Sequence, residues 1–152
     1  MTEKRVGIGD VKVEQGDVML LAYGVGSCVV IVLYNSEKRV GGLAHVLLPA
    51  GSDHSWKYPK GAINEMIIRL GHFGLQASDV VAKIAGGAMM FENFQKQAIG
   101  KRNVAETKEE LKRLKIPVVA EDIFGNWGRT VSFNILTGEV TIKSYKHGEK
   151  IL

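Results

Sequence analysis

The sequence predicts an α+β domain, an α/β sandwich in which largely antiparallel sheet layers carry two main helices on one face. Short apolar runs rich in β-branched residues recur along the chain, and most are joined by short polar turns typical of hairpins. Two stretches instead place apolar residues at helical spacing. Strands that are linked as hairpins form antiparallel sheets. In an α+β domain the helices then cover one face of such a sheet.

The composition is that of an ordinary soluble globular protein. The chain has 152 residues, enough for one hydrophobic core, so we expect a single domain over residues 1–152. Hydrophobic residues make up 45% and charged residues 24% of the chain. The amino terminus has no signal-peptide pattern, and no apolar run approaches the roughly 18 residues of a membrane span. We therefore expect a cytoplasmic protein without membrane insertion.

Cysteine, histidine and charge patterns exclude several classes of function. A single cysteine excludes an internal disulfide and a cysteine-rich metal cluster. The four histidines show no helical pairing and no nearby carboxylate cluster, so we expect neither a metal nor a cofactor. The net charge is only +4, and the basic residues of 101–115 alternate with glutamates. This alternation is typical of a solvated helix face, so no nucleic-acid partner is expected.

The first half of the chain predicts four strands and one helix. The alternation of polar and apolar residues in the first strand favours an edge position in a sheet. The second strand is continuously apolar, which favours a central position. A polar turn at residues 35–38 joins the third strand to the fourth. Apolar residues at helical spacing predict a helix over residues 60–72. The four predicted strands are residues 10–15, 17–23, 28–34 and 39–48.

The second half predicts a further helix and a second hairpin. Asn103 followed by Glu106 resembles a capping box, which predicts a helix over residues 103–115 that ends before Pro117. Residues 146–152 are expected to be frayed or to contact a partner. The predicted strands are residues 80–85, 117–123, 129–136 and 139–145.

The first hairpin suggests a site for chemistry. Whether its loop is residues 36–37 or residues 35–38, the register pairs Cys28 with His45. Directly opposed residues have Cβ atoms about 4.5 to 5.5 Å apart, so an imidazole nitrogen can reach a thiol. A one-residue bulge would break this register.

A thiol beside an imidazole is the smallest unit of cysteine catalysis. The imidazole takes the thiol proton and converts the sulfur into a nucleophile. The glycine-rich stretch before Cys28 leaves the main chain free to turn N–H groups toward a developing oxyanion, with Gly26, Ser27 and Cys28 as candidate donors. The nucleophile hypothesis requires that Cys28 and His45 share a face of the sheet and that solvent reaches them.

The same residues also fit a purely structural interpretation. A lone cysteine inside an apolar run is typical of a small buried hydrophobic residue, and a lone histidine in a strand is typical of a hydrogen-bonded core residue. The residues alone leave both interpretations open.

Two motifs resemble the signature of the CheD family, the bacterial chemoreceptor glutamine deamidases. They are GVGSC at residues 24–28 and GLAHVLLP at residues 42–49. Further matching segments are KIAGGAMMF at 83–91, IGKRN at 99–103, AED at 120–122 and GRTV at 128–131. The segments follow one another in order along most of the chain.

The resemblance implies a reaction and its partners. It implies that Cys28 attacks the side-chain amide of a receptor glutamine and that His45 transfers the protons, so that a thioester forms and is hydrolysed to glutamate. The implied substrate is the helical bundle of a chemoreceptor's cytoplasmic part, and a CheC-type phosphatase is an implied partner.

Ala22 departs from the family pattern. A threonine that orients the histidine usually occupies this position, and a methyl group accepts no hydrogen bond. A backbone carbonyl, a water or another residue must then orient His45, or nothing does. The alternative function is a non-catalytic chemotaxis adaptor that binds receptors or CheC, with Ala22 marking a decayed site.

Overall fold

The computed structural model describes residues 1–89 and 98–152. Met90 and Phe91 of the resemblance motif lie outside these ranges. Within them the chain forms ten strands, which are β1 Thr2–Arg5, β2 Val11–Gln15, β3 Val18–Val25, β4 Val29–Asn35, β5 Val40–Val46, β6 Val81–Gly86, β7 Val118–Ile123, β8 Arg129–Asn134, β9 Val140–Ser144 and β10 Gly148–Ile151. The helices are α1 Pro59–Gly71, α2 Ala98–Arg113 and a short 3-10 helix Ala77–Asp79.

The strands form two five-stranded sheets. The first sheet has the order β1-β3-β8-β9-β10 and the second the order β2-β5-β4-β6-β7. The pairs β1-β3 and β6-β7 are parallel, and the other pairs within the sheets are antiparallel. The predicted largely antiparallel α+β fold is therefore confirmed, and β2 lies at a sheet edge as predicted.

The second sheet lies between the first sheet and the helices. Alternate side chains of β4 pack in opposite directions: Val29, Ile31 and Leu33 join the core under the helices, whereas Val30 and Val32 join the core between the sheets. Because both faces are buried, residues 29–33 are all apolar rather than alternating with polar residues. Helix α1 packs on β5 and β2, and α2 on β4, β6 and β7, so both helices cover one face, as predicted.

Packing between the sheets leaves no room for a side chain at Gly41 of β5. A Cβ there would lie 2.7 Å from the Phe133 ring and 2.9 Å from the Leu33 carbonyl oxygen. Since Phe133 is fully buried, we expect Gly41→Ala to lower the free energy of unfolding by about 1–3 kcal/mol, measured by urea denaturation. Gly71→Ala is the matched control, because a Cβ there meets nothing within 4 Å. Equal urea midpoints for the two variants would contradict this prediction.

The prediction for residues 146–152 was wrong in part. Its first alternative, fraying, is contradicted because residues 148–151 form β10, which pairs antiparallel with β9, and Lys83 Nζ donates a 2.6 Å hydrogen bond to the Leu152 carbonyl. The second alternative, a partner contact, stays a prediction. Strand β1 was not predicted at all. Its sequence, Thr-Glu-Lys-Arg, has no apolar alternation, and it is held by parallel pairing with β3.

The predicted start of the second helix was also wrong. Helix α2 begins at Ala98, so Asn103 lies inside the helix and does not cap it. The spacing of Asn103 and Glu106 matches a capping box, but the helix already includes both residues. Asn103 instead points its side chain at two loops of the candidate site.

Candidate active site

The predicted direct pairing of Cys28 with His45 was wrong. Val30 pairs with His45, and the hairpin closes at the pair of Asn35 and Val40, so its loop is residues 36–39. The turn lies one residue later than predicted because Asn35 remains in β4 and its side-chain oxygen accepts the Lys38 N–H at 2.8 Å. The last loop residue, Arg39, adopts a left-handed conformation with φ 52°.

Cys28 and His45 nevertheless share a face of the second sheet. Cys28 precedes Val30 by two residues and packs with Val30 and Leu43 in the core between the sheets. Cys28 lies one residue before β4, and His45 pairs with Val30, whose side chain lies in the same core as Cys28. No hydrogen bond joins the thiol to His45 Nε2 among the described residues. The requirement of a shared face is met.

A main-chain carbonyl orients the His45 ring. Nδ1 of His45 lies 3.3 Å from the Val6 carbonyl oxygen. A carbonyl only accepts, so this contact assigns the ring hydrogen to Nδ1 and leaves a lone pair on Nε2. Nε2 is buried and has no hydrogen-bond partner in the part of the chain that the structure describes. His45 therefore presents a free basic nitrogen within the layer that holds Cys28.

The Val6 carbonyl lies beside the position where the family's threonine usually stands. Val6 donates its N–H to the Leu21 carbonyl at 2.7 Å, which brings it next to Ala22. Ala22 is fully buried in the same core as Val6 and Cys28. Of the alternatives that the sequence leaves open, the structure selects a backbone carbonyl.

Hydrogen bonds hold the three carbonyls around Cys28. The Gly26 carbonyl accepts from Ala88 N–H at 2.9 Å, the Ser27 carbonyl from Asn103 Nδ2 at 2.9 Å, and the Cys28 carbonyl from Gly87 N–H at 2.8 Å. In a trans peptide the N–H points opposite to the carbonyl, so the N–H groups of Ser27 and Cys28 point away from these anchors. This geometry suits an oxyanion hole.

Burial keeps both reactive groups neutral. It raises the pKa of the Cys28 thiol, and the Cys28 N–H offsets this only in part. Burial also lowers the pKa of His45, and the hydrogen bond to the Val6 carbonyl offsets this decrease only in part. At neutral pH the resting pair is thus a neutral thiol and a neutral imidazole, so the proton moves only during a reaction.

The pair is almost closed to solvent. Cys28 is 5% exposed and His45 is 1% exposed. Gly24 is exposed, and Gly26 and Ser27 are half-buried. The requirement of solvent access is therefore met narrowly for Cys28 and not for His45.

Two groups near the site were missed by sequence reasoning. The Val6 carbonyl is a main-chain group, so no residue type could have indicated it. Asn103 lies in the IGKRN motif, but its burial inside α2, which marks it as a residue with side-chain partners, is visible only in the structure.

The described residues contain no cluster of three or more potential metal-ligating side chains. Neither helix in this part of the chain is long and apolar enough to cross a membrane.

Comparison with known proteins decides the family. A protein-family model described as CheD chemotactic sensory transduction matches residues 47–144, more than half of the chain. The chain belongs to the CheD family. The matched range begins two residues after His45, so Cys28 and His45 lie outside it. The longer similarity to individual CheD relatives extends over almost the whole chain.

Three relatives illustrate that similarity. The probable chemoreceptor glutamine deamidase CheD 2 of Geobacter metallireducens is 44% identical, and the match covers 97% of this chain and 96% of the relative. The probable chemoreceptor glutamine deamidase CheD of Caldanaerobacter subterraneus is 42% identical with the same coverage. The probable chemoreceptor glutamine deamidase CheD 1 of Methanosarcina acetivorans is 37% identical, with 97% and 95% covered.

Solved structures are more distant from this CheD protein. The hypothetical protein YfiH of Bacillus licheniformis superposes with a TM-score of 0.47 and 16% identity, over 81% of this chain and 60% of that one. These values are too low to carry an argument about function.

Proposed function

We propose that this CheD protein is a deamidase that hydrolyses glutamine side chains of chemoreceptors to glutamate. The names of relatives with 37–44% identity support this activity. The observation that carries it is the state of His45, whose Nδ1 is held by the Val6 carbonyl while its free Nε2 lies in the layer that contains Cys28.

The first half of the reaction releases ammonia. His45 Nε2 takes the thiol proton while the Cys28 sulfur forms a bond to the amide carbon of the glutamine side chain. Negative charge develops on the amide oxygen, and the N–H groups of Ser27 and Cys28 stabilise it. His45 then returns the proton to the amide nitrogen, the carbon–nitrogen bond breaks, and ammonia leaves. A thioester on Cys28 remains.

The second half consumes one water molecule. His45 Nε2 takes a proton from water as the water oxygen attacks the thioester carbon. The carbon–sulfur bond breaks, the proton returns to sulfur, and the free glutamate side chain is released. The substrate therefore exchanges a neutral amide for a carboxylate, and the enzyme is restored.

The substrate that fits the site is a helix in the cytoplasmic bundle of a chemoreceptor. The nucleophile lies just below the surface behind the half-buried Gly26 and Ser27, so the target must present a long side chain that extends inward. Glutamine on an exposed helix face provides this reach. The net charge of +4 favours encounter with an acidic partner, and a cytoplasmic substrate implies a cytoplasmic enzyme.

A second candidate function is a non-catalytic adaptor that binds receptors or a CheC-type phosphatase. The specific observation that favours it is the near-complete burial of both reactive groups, together with Ala22 in place of the family's threonine. An adaptor would use the outer surface of the molecule and leave Cys28 as a core residue.

Mass spectrometry of a receptor fragment separates these functions. A purified cytoplasmic chemoreceptor fragment is incubated with the protein, and its peptides are examined for glutamine converted to glutamate. We expect conversion with the wild type and none with Cys28→Ala. Receptor binding without any conversion by the wild type would reject the deamidase and support the adaptor.

The Val6 contact predicts the effect of restoring threonine at position 22. Because the Val6 carbonyl already holds Nδ1, we expect Ala22→Thr to change kcat by less than about threefold. Since Ala22 is fully buried, the larger side chain should lower the free energy of unfolding by about 1–3 kcal/mol. Steady-state deamidation and urea denaturation measure the two effects. A tenfold gain in kcat would mean that the Val6 carbonyl orients His45 poorly.

A further inference from the structure

Asn103 occupies a costly position for its residue type. It lies inside helix α2, is 0% exposed, and belongs to a residue type that disfavours helix interiors. Its Nδ2 donates to the Ser27 carbonyl at 2.9 Å and to the Leu47 carbonyl at 3.1 Å. Two carbonyl acceptors fix the orientation of the amide group, since only the nitrogen can donate.

The other end of the same side chain is unsatisfied. Oδ1 of Asn103 is buried and lacks a hydrogen-bond donor within residues 1–89 and 98–152. A buried acceptor without a partner opposes folding. The side chain is thus poorly suited to stabilising the helix. Its hydrogen bonds are the two that Nδ2 donates to loop carbonyls.

Those two contacts join the segments that carry the reactive groups. Ser27 directly precedes Cys28, and Leu47 follows His45 by two residues. One amide nitrogen therefore ties the loop of the thiol to the end of the strand that carries the imidazole.

The contact to Ser27 also sets the direction of a donor. The Ser27 carbonyl and the Cys28 N–H belong to one planar trans peptide and point in opposite directions. When Asn103 holds the carbonyl on the helix side, the Cys28 N–H points away from the helix. Without that anchor the peptide is free to rotate, and the direction of the Cys28 N–H is no longer fixed.

We propose that Asn103 is a positioning residue that holds the Ser27–Cys28 peptide so that the Cys28 N–H faces the developing oxyanion. The proposal rests on the deamidase function proposed above and assigns a role to a residue outside the nucleophile, the base and the donors themselves. Asn103 acts through the main chain and does not touch the substrate.

Asn103→Leu is the informative variant. Leucine has the same branched shape, favours helices and removes the unsatisfied Oδ1, but it also removes the donor to the Ser27 and Leu47 carbonyls. Thermal melting therefore accompanies every kinetic measurement, and kcat is compared at a temperature at which the variant is folded. The loss of one oxyanion donor lowers kcat by about 10²–10³-fold in known enzymes. A donor that is misaligned rather than removed should lower kcat by about tenfold to a hundredfold, with KM changed by less than about twofold.

A second readout does not depend on turnover. The Cys28 N–H lowers the thiol pKa, so its misalignment should raise the Cys28 pKa further. The rate of alkylation by iodoacetamide, measured against pH, reports this pKa directly. Asn103→Ala serves as a second variant and should shift the Cys28 pKa in the same direction.

Thr107→Val is the matched control. Thr107 is fully buried one turn later in α2, and its hydroxyl donates to the Asn103 carbonyl at 2.7 Å. The variant loses a buried hydrogen bond in the same helix without touching the loop carbonyls. It should lower the melting temperature while keeping the wild-type kcat and Cys28 pKa.

The outcomes separate the two proposals. Wild-type kcat and Cys28 pKa in Asn103→Leu would overturn the positioning role, as would an equal loss of kcat in Thr107→Val. If the wild type converts no glutamine, the proposed function fails, and the alkylation profile still decides the role of Asn103. A raised Cys28 pKa in both Asn103 variants, with an unchanged pKa in Thr107→Val, supports the role.

Discussion

Cys28→Ser is expected to lower the rate of glutamine conversion by at least about 10⁴-fold, as the loss of a nucleophile does in other hydrolases that form covalent intermediates. Serine exchanges one sulfur for one oxygen, so packing between the sheets changes little. Its hydroxyl, however, has a far higher pKa than a thiol, and the neutral His45 is a weak base for removing that proton. The measurement is single-turnover deamidation of a receptor fragment followed by mass spectrometry.

Cys28→Ala provides the control for this prediction. Both variants should bind the receptor fragment and unfold at a denaturant concentration close to that of the wild type, because serine and alanine differ little in size from Cys28. Conversion by Cys28→Ser at a tenth of the wild-type rate would assign the nucleophile to another group.

His45→Gln should have the second-largest effect, a loss of about 10²- to 10⁴-fold in kcat. Glutamine has no basic nitrogen, so it neither accepts the thiol proton nor returns one to the leaving ammonia. The Cys28 sulfur and the main-chain donors remain in this variant. Steady-state kinetics with the receptor fragment measure the loss, and a variant that retains more than a tenth of the wild-type kcat would exclude His45 as the base.

The same substitution tests the pH dependence of stability. Burial holds the pKa of His45 in the folded state below its ordinary value of about 6.5. The unfolded chain therefore binds more protons as the pH falls, and stability that is fully present above about pH 6.5 is lost as the pH falls toward the folded-state pKa. We expect the difference in free energy of unfolding between about pH 7.5 and about pH 5 to be smaller in His45→Gln than in the wild type. Urea denaturation at the two pH values measures it, and identical differences would contradict the lowered pKa.

The strands and helices of the core could be predicted because their composition follows from burial. Strand β4 is apolar on both faces since it lies between the other sheet and the helices. The start of α2 was missed because Gly100 and the two basic residues after it interrupt the helical spacing of apolar residues. Gly100 is required there, as a Cβ would lie 2.6 Å from the carbonyl oxygens of Gly87 and Ala88. Such a close approach is a tertiary fact and leaves no local signal.

The candidate site was predicted in part for a similar reason. The sequence indicated the correct hairpin but paired His45 with Cys28 instead of Val30, an error of two positions. Because side chains alternate with a period of two, such an error moves residues along the strand and keeps them on the same face. The left-handed conformation of Arg39 that accompanies the shift has no signature in an arginine.

The acceptor of the His45 Nδ1 hydrogen bond is a main-chain carbonyl, and this affects which substitutions the site tolerates. A hydroxyl acceptor is lost when its residue is replaced by one without a hydroxyl. The carbonyl at position 6, in contrast, is supplied by whichever amino acid stands there. Selection at that position then acts only on the apolar side chain and on the N–H that pairs with Leu21. The residue at position 22 then affects the packing of this core and not the hold on the imidazole.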